Sequence, residues 1–244
     1  MPGHPAFPAL IAIALLLSSC AVLRSTEQPI PTRWHTDGAS SETLVVFLRG
    51  AGGRADQVER AGVIELLAES DLDWHAVSVD AHFGYYRERS IIDRLNEDVL
   101  AEARARGYQQ IWLAGPSLGG FGSLLYWCRT QHHDIAGIIA LAPYLGGSGI
   151  LQEIEAAGGL AGWHPDGKGE EHEVALWQCI QNGFPDELPV WLAYGTGDRM
   201  ARGNRILAEV LPEDRVLTIE GGHRWTVWTQ LLETIFESIS SEAP

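Results

Sequence analysis

Six short apolar segments, alternating with stretches of helical period, limit what this chain can fold into more than any other feature. They are Leu44–Leu48, Asp73–Asp80, Ile111–Ala114, Asp134–Ala142, Pro189–Tyr194 and Arg215–Ile219. Most are near-continuous apolar runs rich in β-branched residues, as expected of strands covered on both faces. Between them lie a helical stretch over 55–70 with Val58, Ile64 and Leu67 on its core side, a mixed-charge helix over 87–106 closed by Gly107, a helix over 201–211 stopped by Pro212, and a last helix over 225–239. Strands alternating with helices imply a mostly parallel central sheet with helices on both faces, linked by right-handed crossovers. The expected fold class is therefore α/β. A chain of 244 residues is long enough for one such domain.

The third run leads directly into Gly115-Pro116-Ser117-Leu118-Gly119, and then into Phe121–Trp127, which can run as a helix. Strand, sharp turn with a serine at its tip, helix is the context a nucleophile elbow requires. The glycines have a steric reason: a serine held in a strained turn leaves no room for side chains two residues to either side. Pro116 fixes its own φ and keeps Gly115 extended. After the first run comes Arg49-Gly50-Ala51-Gly52-Gly53. Glycines at the carboxyl end of a buried strand let backbone N–H groups point into a site, and such donors stabilise an oxyanion by about 3 kcal/mol each.

Two further strands end in turns that carry chemistry. The fifth runs into Gly195-Thr196-Gly197-Asp198, the sixth into Glu220-Gly221-Gly222-His223. Ser117, Asp198 and His223 thus lie just past the carboxyl ends of their own strands, where the ligand crevice of an open parallel sheet forms. The order Ser, Asp, His and the two glycine turns make 44–240 resemble the α/β-hydrolases. The resemblance implies Ser117 as nucleophile, His223 as general base, Asp198 as the acid that orients the imidazole, and the N–H groups of Ala51 and Leu118 as oxyanion hole. Arg49 stands where that family often has His. The implied reaction is cleavage of a carboxylic ester or thioester through an acyl-enzyme, with no cofactor and no metal. An amide or peptide hydrolase of the same fold and a non-catalytic envelope-binding lipoprotein are the alternatives. Residues 148–188 break the strand–helix alternation and are expected to form a small lid insertion with Trp163, Trp177 and Phe184. At the end of the second strand, Asp80, His82, Tyr85 and Tyr86 suit either a pocket wall or a helix cap.

The amino terminus reads differently. Pro8–Leu17 is apolar, too short to span a bilayer comfortably and of the right length for a signal-peptide core. It ends in Leu17-Ser18-Ser19-Cys20, which resembles a bacterial lipobox, although no Lys or Arg precedes Arg24. The resemblance implies a signal peptide over 1–19, lipidation of Cys20, and a bacterial cell-envelope location in which acyl chains hold the protein to a membrane. Residues 20–43, with Pro29, Pro31 and Gly38, read as a tether with room for a short edge strand.

Seventeen basic residues against 32 acidic ones, a net charge of −15, argue against a nucleic-acid partner. A small-molecule ester is the expected partner, with no obligate protein partner evident. The three cysteines are too few for a disulfide scaffold; Cys128 and Cys179 could pair in an oxidising compartment, but two buried free thiols are the expected state. Adjacent His132 and His133 diverge and do not make a metal site with Asp134.

Overall fold

The structure, a computed structural model, describes residues 24–36, 40–54 and 56–242. Cys20 and the signal-peptide segment lie outside them. The strands are β1 Thr32–His35, β2 Thr43–Leu48, β3 Trp74–Val79, β4 Gln110–Pro116, β5 Ile135–Leu141, β6 Val190–Gly195 and β7 Val216–Ile219. They form one sheet in the order β1-β3-β2-β4-β5-β6-β7. Every neighbouring pair is parallel except β1 with β3, where Thr32 pairs with Val79 and His35 with Ala76. The expected edge strand is therefore β1. It ties the end of the tether region into the domain, with Ile30 buried just ahead of it.

The helices in chain order are α1 Gln57–Arg60, α2 Val63–Glu69, α3 Phe83–Arg87, α4 Ile91–Arg94, α5 Ala101–Ala105, α6 Leu118–Thr130, α7 Ser148–Ala156, α8 Glu171–Gln181, α9 Ala201–Ala208 and α10 Trp225–Glu242. Two expected continuous helices are interrupted. The stretch over 55–70 breaks at Gly62, whose φ of 73° lies outside the helical range. The helix expected from Arg87 starts earlier, stops at Arg89 (φ 58°), and resumes at Ile91 with a π-helical stretch, Leu95–Leu100, between α4 and α5. Periodicity registers which face is apolar, and both pieces keep that face, so the interruptions leave no mark on the pattern.

The five residues after Thr43 in β2, Leu44 to Leu48, are all buried, as are six of seven in β4. Fully burying one such aliphatic side chain stabilises by about 1.5–3 kcal/mol. The helix that follows β4, α6, is buried from Leu118 to Trp127, so it forms the middle of the molecule and not an amphipathic outer layer. That sets Ser117, its N-cap residue, at the head of a buried helix.

The segment between β5 and β6 packs into the common core. Trp163 and Trp177 are wholly buried; Trp177 Nε1 donates to the Leu145 carbonyl at 2.7 Å and Trp163 Nε1 to Glu153 at 2.8 Å. Helix α8 packs on α6, and Phe184 lies half-buried with its ring 5.4 Å from Trp127. Here one expectation is corrected. Cys128 on α6 and Cys179 on α8 are not free thiols but a disulfide, with Cα atoms 5.8 Å apart. The spacing of 51 residues in sequence conceals that the two helices are adjacent, because only the crossover geometry brings their faces together.

Candidate active site

The elbow is built as its sequence demands. Ser117 has φ 55° and ψ −116°, a conformation that costs an ordinary residue of order 1–3 kcal/mol. Its backbone is held from three sides: its N–H donates to the Leu141 carbonyl at 2.9 Å, and its carbonyl accepts from the N–H groups of Phe121 and Tyr144, both at 3.0 Å. Side chains at Gly115 or Gly119 would run into the carbonyl oxygen of Leu48. This is backbone and cannot swing away, so both glycines are obligatory for the turn to pack on β2.

Across the sheet, Asp198 and His223 meet. The turn after β6 and the turn after β7 are laced together by Thr196 N–H to the Ile219 carbonyl (2.8 Å) and Gly197 N–H to the Gly221 carbonyl (2.9 Å). His223 Nδ1 then lies 2.9 Å from each carboxylate oxygen of Asp198. The Asp198 side chain is fully shielded from solvent and that of His223 nearly so. Asp198 Oδ1 also accepts from the Met200 N–H at 2.7 Å, which fixes the carboxylate. Trp228 presents its ring edge-on to the imidazole, centroids 4.7 Å apart. Gly221, at φ 151°, could not be another residue: a Cβ there would strike Val227.

The sheet order sets Ser117 at the end of β4, Asp198 past β6 and His223 past β7, all at the carboxyl ends of parallel strands, with β5 between β4 and β6. Among the described residues, no hydrogen bond joins Ser117 Oγ to His223. The structure therefore brings the acid and the imidazole into contact and sets the serine on the same rim.

The turn after β2 lies beside the elbow. A Cβ on Gly50 would be 3.8 Å from that of Ser117. Among the described residues, neither the Ala51 nor the Leu118 N–H donates to a backbone acceptor. The turn is braced by Arg49, whose guanidinium donates to the carbonyls of Gly53 and, at 3.3 Å, Ala51. Arg49 also pairs with buried Asp80, 3.3 Å away, and Asp80 pairs with Arg24 at 2.5 Å. Burial lowers the Arg49 pKa, the Asp80 charge opposes that, and Arg24 adds to the lowering.

The residues past β3 thus divide. Asp80 serves Arg49, while His82 caps α3, its Nδ1 accepting from Gly84 N–H at 3.1 Å. Burial and then the Arg24 charge lower the His82 pKa. Neither the Arg24–Asp80–Arg49 chain nor the next pair was foreseeable from motif. Tyr144, two residues past Ala142, donates its hydroxyl to Glu173 on α8, and Glu173 also accepts from Gly147 N–H at 3.0 Å. Burial, followed by this hydrogen bond and the Glu173 charge, raises the Tyr144 pKa. Because Tyr144 N–H is bonded to Ser117, α8 is linked to the elbow through one residue. Of the adjacent histidines, His132 stacks on Tyr126 and Asp134 is taken by Arg104 at 2.5 Å.

Comparison with solved structures decides the fold. Over 88% of this chain and 99% of its own, a monoacylglycerol lipase from Paleococcus ferrophilus superposes with a TM-score of 0.54 at 19% identity. Est1E from Butyrivibrio proteoclasticus gives 0.58 at 18% identity over 86% of this chain and 92% of that one. An alpha/beta hydrolase from a lagoon-sediment metagenome gives 0.54 at 18%, covering 88% and 97%. This chain has the α/β-hydrolase fold. No protein-family profile and no curated protein matches it. The likeness is one of strand and helix arrangement.

Proposed function

We propose that the protein is a serine hydrolase that cleaves a carboxylic ester or thioester through an acyl-enzyme. The observation that carries the reading is the Asp198–His223 pair, Nδ1 at 2.9 Å from both carboxylate oxygens, set on the same sheet edge as a serine whose backbone is held at φ 55°. A hydroxyl is a poor nucleophile at neutral pH. His223 takes the Ser117 proton as Oγ attacks the ester carbonyl, and returns it to the departing alcohol or thiol. The carboxylate fixes the tautomer with the proton on Nδ1, so Nε2 is the basic nitrogen, and it stabilises the imidazolium that forms. Negative charge that develops on the carbonyl oxygen is met by the N–H groups of Ala51 and Leu118. Water then attacks the acyl-Ser117, with His223 again as base. Solved neighbours described as a monoacylglycerol lipase, an S-formylglutathione hydrolase and a ferulic acid esterase agree with an ester-type substrate.

The segment over 148–188 serves as the lid of this site, linked to the elbow through Tyr144 and Glu173. The protein works in the bacterial cell envelope, held to a membrane by acyl chains on Cys20. The disulfide supports an oxidising compartment, since such bonds persist there and are rare in a reducing cytosol.

The experiment is steady-state and pre-steady-state turnover of p-nitrophenyl esters from acetate to decanoate. The reading expects a burst of nitrophenol equal to the enzyme concentration for at least one chain length. Absence of turnover across the panel, in folded protein, overturns it.

A further inference from the structure

Four arginines converge beside the turn that carries Ala51. Arg24, Arg33 on β1, Arg49 and Arg54 line a cavity of about 380 Å³, together with the turn Ala51–Gly53 and Asp56. The chain has a net charge of −15, so this convergence runs against its overall balance. Local acids do not cancel it. Asp80 is shared by Arg24 and Arg49 at 2.5 and 3.3 Å. Asp56 is shared by Arg60 and Arg54 at 2.6 and 3.3 Å. Glu27 approaches Arg24 at 3.8 Å. Arg33 has no ion pair among the described residues. With Arg60, which shares Asp56 from outside the cavity, the ion-pair network and Arg33 together hold five guanidinium groups against three carboxylates, an excess of two positive charges.

The arrangement suits an anion in two further ways. Arg49 is buried and pinned to the turn by its own hydrogen bonds, so that charge is in place before any ligand arrives. Guanidinium groups also match the planar fork of a carboxylate or phosphate, and an anion here relieves the crowding of Arg24 against Arg49. Position gives the site its meaning. Ala51 and Gly52 belong to the cavity wall, and Gly50, the residue before them, adjoins Ser117. The cavity and the nucleophile thus adjoin the same turn, Gly50–Gly53.

We propose that this cavity is an anion subsite that recognises a carboxylate or phosphate carried on the substrate, close to the scissile ester. The word substrate rests on the hydrolase reading above; the anion rests on the cavity alone. The enzyme accordingly selects anionic esters even though its net charge repels them.

The test compares p-nitrophenyl hemiadipate, which ends in a carboxylate, with p-nitrophenyl hexanoate, its neutral match in length. It uses the wild type and the double variant Arg33→Gln/Arg54→Gln; Arg54 is largely exposed and Arg33 sits on the edge strand, so folding is not at stake. The wild type is expected to prefer the hemiadipate in kcat/KM, and that ratio falls about 25-fold in the variant, roughly fivefold per partly exposed charge pair. Inorganic phosphate raises the apparent KM for the hemiadipate and not for the hexanoate. Calorimetric titration with phosphate alone gives binding to the wild type that the variant loses. An unchanged ratio, or equal phosphate binding in both proteins, overturns the subsite. If neither ester is turned over, the hydrolase reading fails on its own account. The phosphate titration then still decides the cavity: binding lost in the variant supports it, and no binding to the wild type overturns it.

Discussion

Breaking the Cys128–Cys179 bond should cost the protein a large part of its stability, and the amount can be worked out from the chain it closes. The two cysteines are 51 residues apart in sequence and join α6, the central helix, to α8. In the chain-entropy account, a loop of that length removes about 14 cal/mol/K from the unfolded ensemble, or about 4 kcal/mol at 25 °C. For a domain of this size each kcal/mol moves the melting temperature by about 2–4 °C, so the loss is about 8–16 °C. The assay is scanning calorimetry of the wild type with and without a phosphine reductant, beside Cys128→Ala, Cys179→Ala and the double variant. Either single substitution removes the whole cross-link. The double variant should therefore melt close to the singles and not at the sum of their losses. A non-reducing peptide map should show the two cysteine peptides joined. Two titratable thiols in that map, or a melting temperature indifferent to reductant, would refute the reasoning.

Other consequences follow from particular contacts. Gly119→Ala drives a methyl group into the Leu48 carbonyl and should lower stability by about 1–3 kcal/mol in urea titration while abolishing turnover; a fully active variant would show that the elbow packs otherwise. Asp198→Asn keeps the shape but loses the charge that orients His223, and kcat should drop by about 10⁴ with KM little changed. Trp177→Phe removes a buried hydrogen bond to Leu145 together with part of a filled volume, for a loss of about 2 kcal/mol by urea midpoint. For Asp134, burial pushes the carboxyl pKa up, yet the hydrogen bonds and charge of Arg104 prevail and hold it below its ordinary value. A depressed folded pKa contributes stability above the unfolded value near 3.9 and loses it as pH falls through the folded one. Asp134→Asn should therefore destabilise at pH 7, and the gap to wild type should close below about pH 4.

Fold and site were legible to different depths. Near-continuous apolar runs such as Leu44–Leu48 and Ile111–Ala114 carry the parallel sheet in their composition, because strands covered on both faces tolerate no polar alternation. The glycines around Ser117 were legible because a serine in a strained, tight turn leaves no room for side chains two residues to either side, which is a local reason; that the obstacle is the carbonyl of Leu48 on β2 was not. Asp198 and His223 could be picked out by their position past strand ends, but their contact depends on the lacing of two turns that no residue type announces. What stayed hidden is long-range. The disulfide needs the α6–α8 contact, and the Asp80 ion pairs need Arg24 to fold back against β3, 56 positions away in sequence. Tyr144 with Glu173 is the same case, a hydroxyl and a carboxylate joined only by the path of the crossover. Helix interruptions at Gly62 and Arg89 were missed because a break that preserves the apolar face leaves the period intact.

The central claim is that Ser117 is the nucleophile of a hydrolase, and covalent capture tests it most directly. The folded protein is treated with a fluorophosphonate and digested, and the modified residue is located by mass spectrometry. The account predicts one adduct per chain, on the peptide that contains Gly115–Gly119, absent in Ser117→Ala and strongly slowed in His223→Ala. Labelling that persists in Ser117→Ala, or that maps to another serine, would contradict it.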